Sequence, residues 1–174
     1  MVRVGIVGSR KYGNPLLRHD YEEARGHVDP GDARDVESFV LLLPKNWEIV
    51  SGAQPKGVDG FVKMYAEKHD RVYKEFPPDH YPESPSSITI CPITNQHIVY
   101  GSVYNDNYYK IRNARIAAYC DFVSAFVVKG VESRGTMNTV ANARNFGRPV
   151  HIFESGNYTE AEARHVVEQW VSSS

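Results

Sequence analysis

Short apolar runs with little polar alternation recur along this chain, and an amphipathic stretch follows most of them. Residues 2–7 and 122–128 are the clearest examples, and both contain several β-branched residues. A strand that is apolar on both sides is typical of a parallel sheet with helices on both faces. The pattern therefore predicts an α/β fold, a single doubly wound (Rossmann-like) domain with about five mainly parallel strands.

The same pattern places the individual elements. Strands are expected at residues 2–7, 48–50, 71–76, 122–128 and 149–153. Helices are expected at residues 33–43 and 58–69, from about 106 to 119, after 136 up to 146, and from 159 or 160 onward. Asp32 is the expected N-cap of the first helix, and Gly147 the expected residue just beyond the fourth. The inner face of the last helix is predicted to hold Val166, Val167, Trp170 and Val171.

Residues 77–104 interrupt this alternation and are rich in Pro, Ser and Tyr. Residues 88–93 and 97–103, on either side of Thr94-Asn95-Gln96, are expected to form a β-hairpin. We interpret the segment as an insertion into one domain that covers residues 1–174. Two interpretations of its role stay open, a lid over a site and a surface loop without function.

Composition argues against several classes of protein. Lys and Arg number 20 against 21 for Asp and Glu, a net charge of −1, whereas nucleic-acid-binding domains usually carry a basic excess. No apolar run approaches the roughly 20 residues of a membrane-spanning helix, and residues 1–8 are typical of a strand rather than of a signal peptide. Cys91 and Cys120 are too few for a disulfide scaffold. We expect a cytoplasmic protein, with one bridge between the two cysteines left open.

Small and polar residues follow three of the predicted strands, at Gly8-Ser9-Arg10, residues 51–60 and residues 130–136. The carboxyl ends of parallel strands meet at one edge of the sheet, where such folds bind ligands. Glycines let the backbone approach a ligand, and helix N-termini favour anions. The guanidinium groups of Arg10 and Arg134 suit phosphate. Together the segments predict a site for a phosphate-bearing small molecule, although each alone is also typical of an ordinary turn.

The chain lacks the sequence motifs of two common classes of phosphate-binding protein. The chain has no G-x-x-x-x-G-K-[ST] run, which argues against a P-loop NTPase. Gly5-Ile6-Val7-Gly8 does not extend to G-x-G-x-x-G, which argues against an ordinary NAD dehydrogenase.

The polar segments resemble the SLOG superfamily of Rossmann-like nucleotide-binding proteins. The resemblance is carried in order by Gly8-Ser9-Arg10, Ser51-Gly52-Ala53, Gly57-Val58-Asp59, Arg112-Asn113, Asp121 and Ser133-Arg134-Gly135-Thr136. It covers the chain except for about residues 11–31 and the insertion, and it is nearest to the DUF2493, or YspA-like, group of bacterial and phage proteins. More distant members are the LOG phosphoribohydrolases and the DNA-processing protein DprA. The resemblance implies a small-molecule nucleotide ligand and a homodimer. We expect no cofactor and no metal.

The resemblance also implies roles for individual residues. The implied ligand-binding residues are Gly8, Ser9, Arg10, Ser51, Gly52, Ala53, Gly57, Asp59, Asn113, Ser133, Arg134, Gly135 and Thr136. Arg112 lies where LOG enzymes have a catalytic arginine. The LOG catalytic glutamate, however, corresponds to Thr139, which cannot act as a carboxylate does. Glu132 is the candidate substitute, although a glutamate at such a position is more often an exposed loop charge.

These residues leave several functions open. The first is binding of a nucleotide or nucleotide derivative through phosphate and ribose, with or without hydrolysis of an N-glycosidic or phosphoester bond. The second is a non-catalytic nucleotide sensor or DNA-processing accessory module, and the third is an enzyme similar to nucleoside deoxyribosyltransferases. Asp59 is either a helix cap or a ribose ligand, and Asp121 either starts a strand or touches ligand.

The insertion and the helix after it contain aromatic and metal-binding residue types. The tyrosines are Tyr81, Tyr100, Tyr104, Tyr108 and Tyr109. They are typical either of stacking on a base or of covering a hydrophobic edge or a dimer interface. His80, Cys91 and His97 are irregularly spaced and lack a fourth ligand, which argues against a zinc site.

Overall fold

The computed structural model describes residues 1–13, 30–54, 56–78, 88–90, 97–99 and 106–174. Its strands, in chain order, are β1 (Arg3–Gly8), β2 (Glu48–Gly52), β3 (Tyr73–Phe76), β4 (Ile88–Ile90), β5 (His97–Val99), β6 (Phe122–Val127) and β7 (Val150–Glu154). Its helices are α1 (Pro30–Leu42), α2 (Val58–Lys68), α3 (Asp106–Tyr119), α4 (Arg134–Asn145) and α5 (Glu160–Ser173).

Five strands form one parallel sheet in the order β3-β2-β1-β6-β7. β1 lies in the middle and pairs with both β2 and β6. The chain therefore builds the sheet outward from β1 in one direction and then, from β6, in the other. This is the doubly wound, Rossmann-like α/β fold that the sequence predicts, with its topological switch point between β1 and β6.

Both faces of the sheet are covered by helices. α1, α2 and α5 pack on one face, where Val4 and Ile6 of β1 are fully buried. α3 and α4 pack on the other, against Val7 and Val123. Successive side chains of a strand point to opposite faces, so the apolar runs in the sequence are explained by burial on both sides.

Aromatic rings fill the larger of the two cores. The Phe39 ring lies 5.8 Å from that of Phe126 and 5.4 Å from that of Phe153, both edge-on. All three side chains are buried. Burial of each contributes roughly 1.5–3 kcal/mol to stability, and this core fixes α1 and α5 against the central strands.

Two predicted helix ends are confirmed. The Oγ1 of Thr159 accepts a hydrogen bond from the Glu162 backbone N–H at 3.2 Å, which caps α5. Gly147 has a positive φ of 71° and follows the last turn of α4. Gly147 N–H donates to the Arg144 carbonyl at 2.9 Å, and the next N–H donates to the Ala143 carbonyl. This is a Schellman cap, which requires the left-handed conformation that glycine adopts without strain.

Three predicted details are wrong. α1 begins at Pro30, so Asp32 lies in its first turn and is not the N-cap; its Oδ2 accepts instead from Gly13 N–H, at 3.1 Å. α4 begins at Arg134, so Gly135 and Thr136 belong to its first turn. Val171 is 46% exposed, because it is rotated by about 100° from the buried Trp170.

The insertion is described only in part. β4 and β5 pair antiparallel as a separate two-stranded sheet, with Ile88 opposite Val99. This confirms a pair of strands at the predicted hairpin, whose turn lies outside the described residues. Among the helices of the described ranges, none is both long and apolar enough to cross a membrane.

Candidate functional site

The residue that follows β1 contacts the carboxyl end of β6 at the switch point. Ser9 N–H donates to the Phe126 carbonyl at 3.0 Å, directly beyond the paired residues Gly8 and Phe126. A Cβ at Gly8 would lie 2.4 Å from the same carbonyl oxygen and 2.4 Å from Cγ2 of Val58. Because no larger residue fits there, Gly8 allows α2 and β6 to close on the end of β1.

Gly57 brings a second predicted loop against the first. It has a φ of 67°, and a Cβ there would lie 2.3 Å from the Ser9 carbonyl oxygen. The next N–H, that of Val58, donates to the same oxygen at 3.3 Å. The start of α2 therefore rests on the Ser9-Arg10 backbone, and the left-handed conformation together with the close approach calls for glycine.

Asp59 lies in the first turn of α2 and is almost completely buried. Its Oδ1 lies 3.0 Å from Oγ of Ser51, and its Oδ2 accepts from Gln54 N–H at 3.3 Å. The interpretation of Asp59 as a helix cap is wrong, since its carboxyl closes the segment after β2 instead. Burial raises the pKa of the Asp59 carboxyl, and the Arg112 guanidinium opposes this shift only in part.

Arg112 of α3 reaches the same place from the opposite face of the sheet. A Cβ at Gly52 would lie 2.4 Å from Oδ2 of Asp59 and 2.7 Å from Nη1 of Arg112, so the two groups flank the Gly52 Cα. Arg112 Nε donates to Oδ1 of Asn113 at 2.9 Å, and Nη1 donates to the Phe76 carbonyl at 3.4 Å. These bonds hold the half-buried guanidinium at the carboxyl edge of β2 and β3.

Asn113 connects this group to the third predicted loop. Its Nδ2 donates to the Gly135 carbonyl at 3.2 Å and lies 3.4 Å from Oδ1 of Asn138, so α3 contacts the first turn of α4. Contacts thus run from Ser9 through Gly57 and the Asp59 carboxyl to Arg112 and on to Gly135. The segments predicted to share one edge of the sheet are brought together there.

The first turn of α4 has no side-chain cap. Ser133 is the N-cap residue, but its Oγ donates to Oγ1 of Thr136 at 2.7 Å instead of accepting from a helix N–H. The N-cap residue of α2 is Gly57, which has no side chain to act as a cap. Uncapped N-termini offer free N–H donors and the positive end of the helix dipole, an arrangement that suits an anion.

The remaining charged candidates are exposed. Arg134 and Glu132 form a surface ion pair at 3.1 Å, with side chains 87% and 74% exposed. Such a pair contributes little to stability, so Arg134 is available to a ligand. Arg10 is also exposed, next to Gly57.

The predicted ligand residue Ala53 lines a surface cavity of about 290 Å³ beside α2, together with Gln54, Lys63, Met64 and Glu75.

Two further residues named from the sequence add no ligand-binding group to the site. Thr139, at the position of the LOG glutamate, is 2% exposed and donates to the Gly135 carbonyl. Asp121 lies at the opposite, amino edge of the sheet, where its Oδ2 accepts from Arg3 N–H at 2.8 Å. The ligand interpretation of Asp121 is therefore wrong, because Asp121 directly precedes β6, at the end of that strand farthest from the site.

The aromatic and metal candidates fall largely outside the described residues. This holds for Tyr81, Tyr100, Tyr104, His80, Cys91 and the side chain of His97. Tyr108 is buried, and the Arg112 guanidinium lies 5.6 Å from the centre of the Tyr109 ring. Within the described ranges, no group of three His, Cys, Asp or Glu residues is placed to hold a metal ion.

Sequence reasoning missed two parts of this arrangement, the amide of Asn138 and the carbonyl of Phe76. Asn138 was detectable in principle, since it lies three residues after Gly135 and so on the same side of a helix. Tyr109 was named from the sequence, and its contact with Arg112 follows from the same three-residue spacing within α3. The Phe76 contact depends on how α3 packs against β3, for which the sequence carries no local signal.

Comparison with known proteins supports the fold and little more. No protein-family model matches the chain, and no curated protein matches it. The molybdenum cofactor carrier protein of Chlamydomonas reinhardtii is a similar solved structure, with a TM-score of 0.54 and 14% identity over 99% of each chain. Phosphofructokinase-2 of Escherichia coli, in complex with fructose-6-phosphate, gives a TM-score of 0.39 and 9% identity over 96% of this chain and 59% of that one. The first likeness shows a shared Rossmann-like α/β fold.

Proposed function

We propose that this protein binds a nucleotide or nucleotide derivative through its phosphate and ribose at the carboxyl edge of the sheet. One observation carries the proposal: the uncapped first turn of α4 lies at the switch point, and Asn113 links it to Arg112. Ligands of open α/β sheets bind at this position in the fold. The sequence motifs of the SLOG superfamily support the same conclusion, and we propose membership of that superfamily.

The phosphate is proposed to lie on the first turn of α4. The N–H groups of Gly135 and Thr136 lack a side-chain cap there. Arg134 at the start of α4 and Arg10 after β1 would add charge-assisted contacts to the phosphate. Arg112 of α3 would add a third such contact. The ribose would then lie over Ser51-Gly52-Ala53, because β2 is the strand next to β1.

Binding without hydrolysis is favoured over a LOG-like reaction. The position of the LOG glutamate holds the buried Thr139, and Glu132 is exposed and paired with Arg134. Neither offers a general acid or base held against a ligand on α4. Incubation with AMP, ADP-ribose and NAD, followed by chromatography of the released base, separates the two functions. Base release that Arg112→Gln abolishes would establish the hydrolase.

A calorimetric panel tests the binding proposal. AMP, GMP, ADP-ribose and NAD are titrated into the protein beside adenosine, guanosine and inorganic phosphate. A phosphate-anchored site binds at least one nucleotide at least about tenfold more tightly than its nucleoside. Failure of every nucleotide to bind, or equal affinity for nucleosides, would overturn the proposal.

The resemblance also supports a homodimer, and the low cysteine content of the sequence supports a cytoplasmic location; both stay proposals. Cys120 is buried, and burial raises the pKa of its thiol, so it has the character of an unreactive core residue. Light scattering at a protein concentration of about tens of micromolar tests the dimer. A monomeric mass would contradict it.

A further inference from the structure

Three oxygen atoms meet at the start of α2 with too few hydrogens between them. Oγ of Ser51 lies 2.9 Å from the Ile6 carbonyl oxygen and 3.0 Å from Oδ1 of Asp59. A serine hydroxyl has one proton to donate. If Asp59 were ionised, one of the two short contacts would join two oxygen lone pairs. A proton on Oδ1 resolves this, since Asp59 then donates to Ser51 and Ser51 donates to Ile6.

The surroundings also disfavour a negative charge on Asp59. Its carboxyl is almost fully buried, and its other oxygen accepts a single bond, from Gln54 N–H. Burying an unpaired carboxylate costs several kcal/mol, so such groups hold their proton. Glu75 and Tyr73 of β3 face it as well, and the nearby Glu75 raises the pKa of the Asp59 carboxyl further.

Arg112 is the cation that faces this carboxyl, and its described partners are neutral. Its Nε donates to the Asn113 amide, and its Nη1 donates to the Phe76 carbonyl. It forms no ion pair with a carboxylate in the part of the chain that the structure describes. No described carboxylate therefore neutralises the Arg112 guanidinium at the edge where the ligand is proposed to bind.

We propose that Asp59 is a positioning residue held as a neutral acid, which closes the Ser51–Gln54 segment and leaves Arg112 free to bind an anionic group of the ligand. This inference rests on the proposed function and names the charge state that the site needs. Ionisation of Asp59 would pair its charge with Arg112 and lower the affinity for anions.

Asp59→Asn is the decisive variant, because an amide copies the neutral acid. Its Nδ2 would donate to Ser51, and its Oδ1 would accept from Gln54 N–H. Asp70→Asn is the matched control, since Asp70 is exposed and has a φ of 49° that asparagine tolerates. Infrared difference spectroscopy of the three proteins detects the carbonyl band of a protonated carboxyl directly, without any ligand.

Binding is measured with sulfate, because it keeps its double charge from about pH 5 to about pH 9, the range in which buried carboxyl groups titrate. We expect the carboxyl band in wild type and Asp70→Asn and its loss in Asp59→Asn. The sulfate affinity of Asp59→Asn should stay within about twofold of that of wild type at low pH. As the pH rises, the affinity of Asp59→Asn should not fall through ionisation of a carboxyl at this position. Arg112→Gln should remove most of this affinity in both backgrounds.

Two results would overturn the inference: an identical band in Asp59→Asn and wild type, or a more than about tenfold weaker sulfate affinity of Asp59→Asn at every pH. If wild type binds neither sulfate nor any nucleotide, the proposed function is overturned instead. In that case the carboxyl band still decides whether Asp59 is the neutral acid, so the two failures are distinguishable.

Discussion

The side-chain amide of Asn113 donates to the carbonyl oxygen of Gly135 at 3.2 Å and thereby fastens α3 to the first turn of α4. The other end of the amide accepts from Arg112 Nε. Reversing the amide would place NH₂ against a guanidinium and oxygen against oxygen, so its orientation is fixed. One buried side chain therefore sets both the position of the arginine and the start of the helix proposed to bind phosphate.

Asn113→Asp tests this link. The carboxylate keeps an acceptor for Arg112 but loses the donor to Gly135 and places a charge near two oxygens. We expect the free energy of unfolding to fall by about 1–3 kcal/mol, the cost of an unsatisfied buried polar group. Urea unfolding measures this free energy. The control is Asn46→Asp, because Asn46 is exposed and lies in a turn. Equal stability of the two variants would mean that the Asn113–Gly135 contact contributes nothing.

Local patterns in the sequence were enough for the architecture. The apolar runs gave the sheet and its two covered faces, and Gly147 and Thr159 were recognisable as helix ends because their conformations depend on adjacent residues. The placement of Asp32 failed because its partners, Gly13 and Ser155, come from other loops. The Asn113–Gly135 contact spans 22 residues and depends on helix packing, and the Asp59–Ser51 contact depends on the closure of α2 over β2.

Gly52→Ala and Gly135→Ala are predicted to have opposite effects. A Cβ at Gly52 would collide with Asp59 and Arg112, whereas the nearest atom to a Cβ at Gly135 is 3.9 Å away, on Asn113. Gly52→Ala should lower the free energy of unfolding by about 1–3 kcal/mol through overpacking. Gly135→Ala should raise it by up to about 1 kcal/mol, because alanine is the better helix former. Urea unfolding of both variants checks the signs, and a neutral Gly52→Ala would argue against the close approach.

Arg71 is predicted to be essential for the end of α1. It is 8% exposed, and its guanidinium donates to the Val40, Leu43 and Pro44 carbonyls. Arg71→Met keeps apolar volume but leaves these carbonyls unpaired, so we expect a loss of about 2–3 kcal/mol. Arg164→Met is the control, because Arg164 is exposed and forms an ion pair with Glu160 one turn away on α5. Similar unfolding midpoints for the two variants would contradict the capping role.

The raised pKa of Asp59 predicts how stability depends on pH. Below its ordinary pKa of about 4, the carboxyl is protonated in both states and stabilises the fold fully. As the pH rises, the unfolded chain releases the proton first, so the free energy of unfolding falls until the pH passes the folded-state pKa. Asp59→Asn has no such loss. Its stability relative to wild type should rise with pH above about 4, as urea unfolding at several pH values measures, whereas parallel curves would refute the shift.

Arg134→Ala should weaken nucleotide binding far more than folding. The side chain is 87% exposed, and within the described ranges its ion-pair partner is the exposed Glu132, so little core packing depends on it. It lies at the first position of α4, where a charge-assisted bond to phosphate would be made. Loss of that bond should lower affinity by about ten- to a hundredfold, while the free energy of unfolding stays within about 0.5 kcal/mol. Arg164→Ala is the control, because Arg164 is another exposed arginine that pairs with a glutamate, and it should change neither quantity.

Calorimetric titration with the nucleotide of the panel that binds most tightly measures the affinity, and urea unfolding measures the stability. An affinity for that nucleotide equal to that of wild type would exclude Arg134 as a phosphate ligand and move the proposed phosphate position to Gly8-Ser9-Arg10 or to the start of α2.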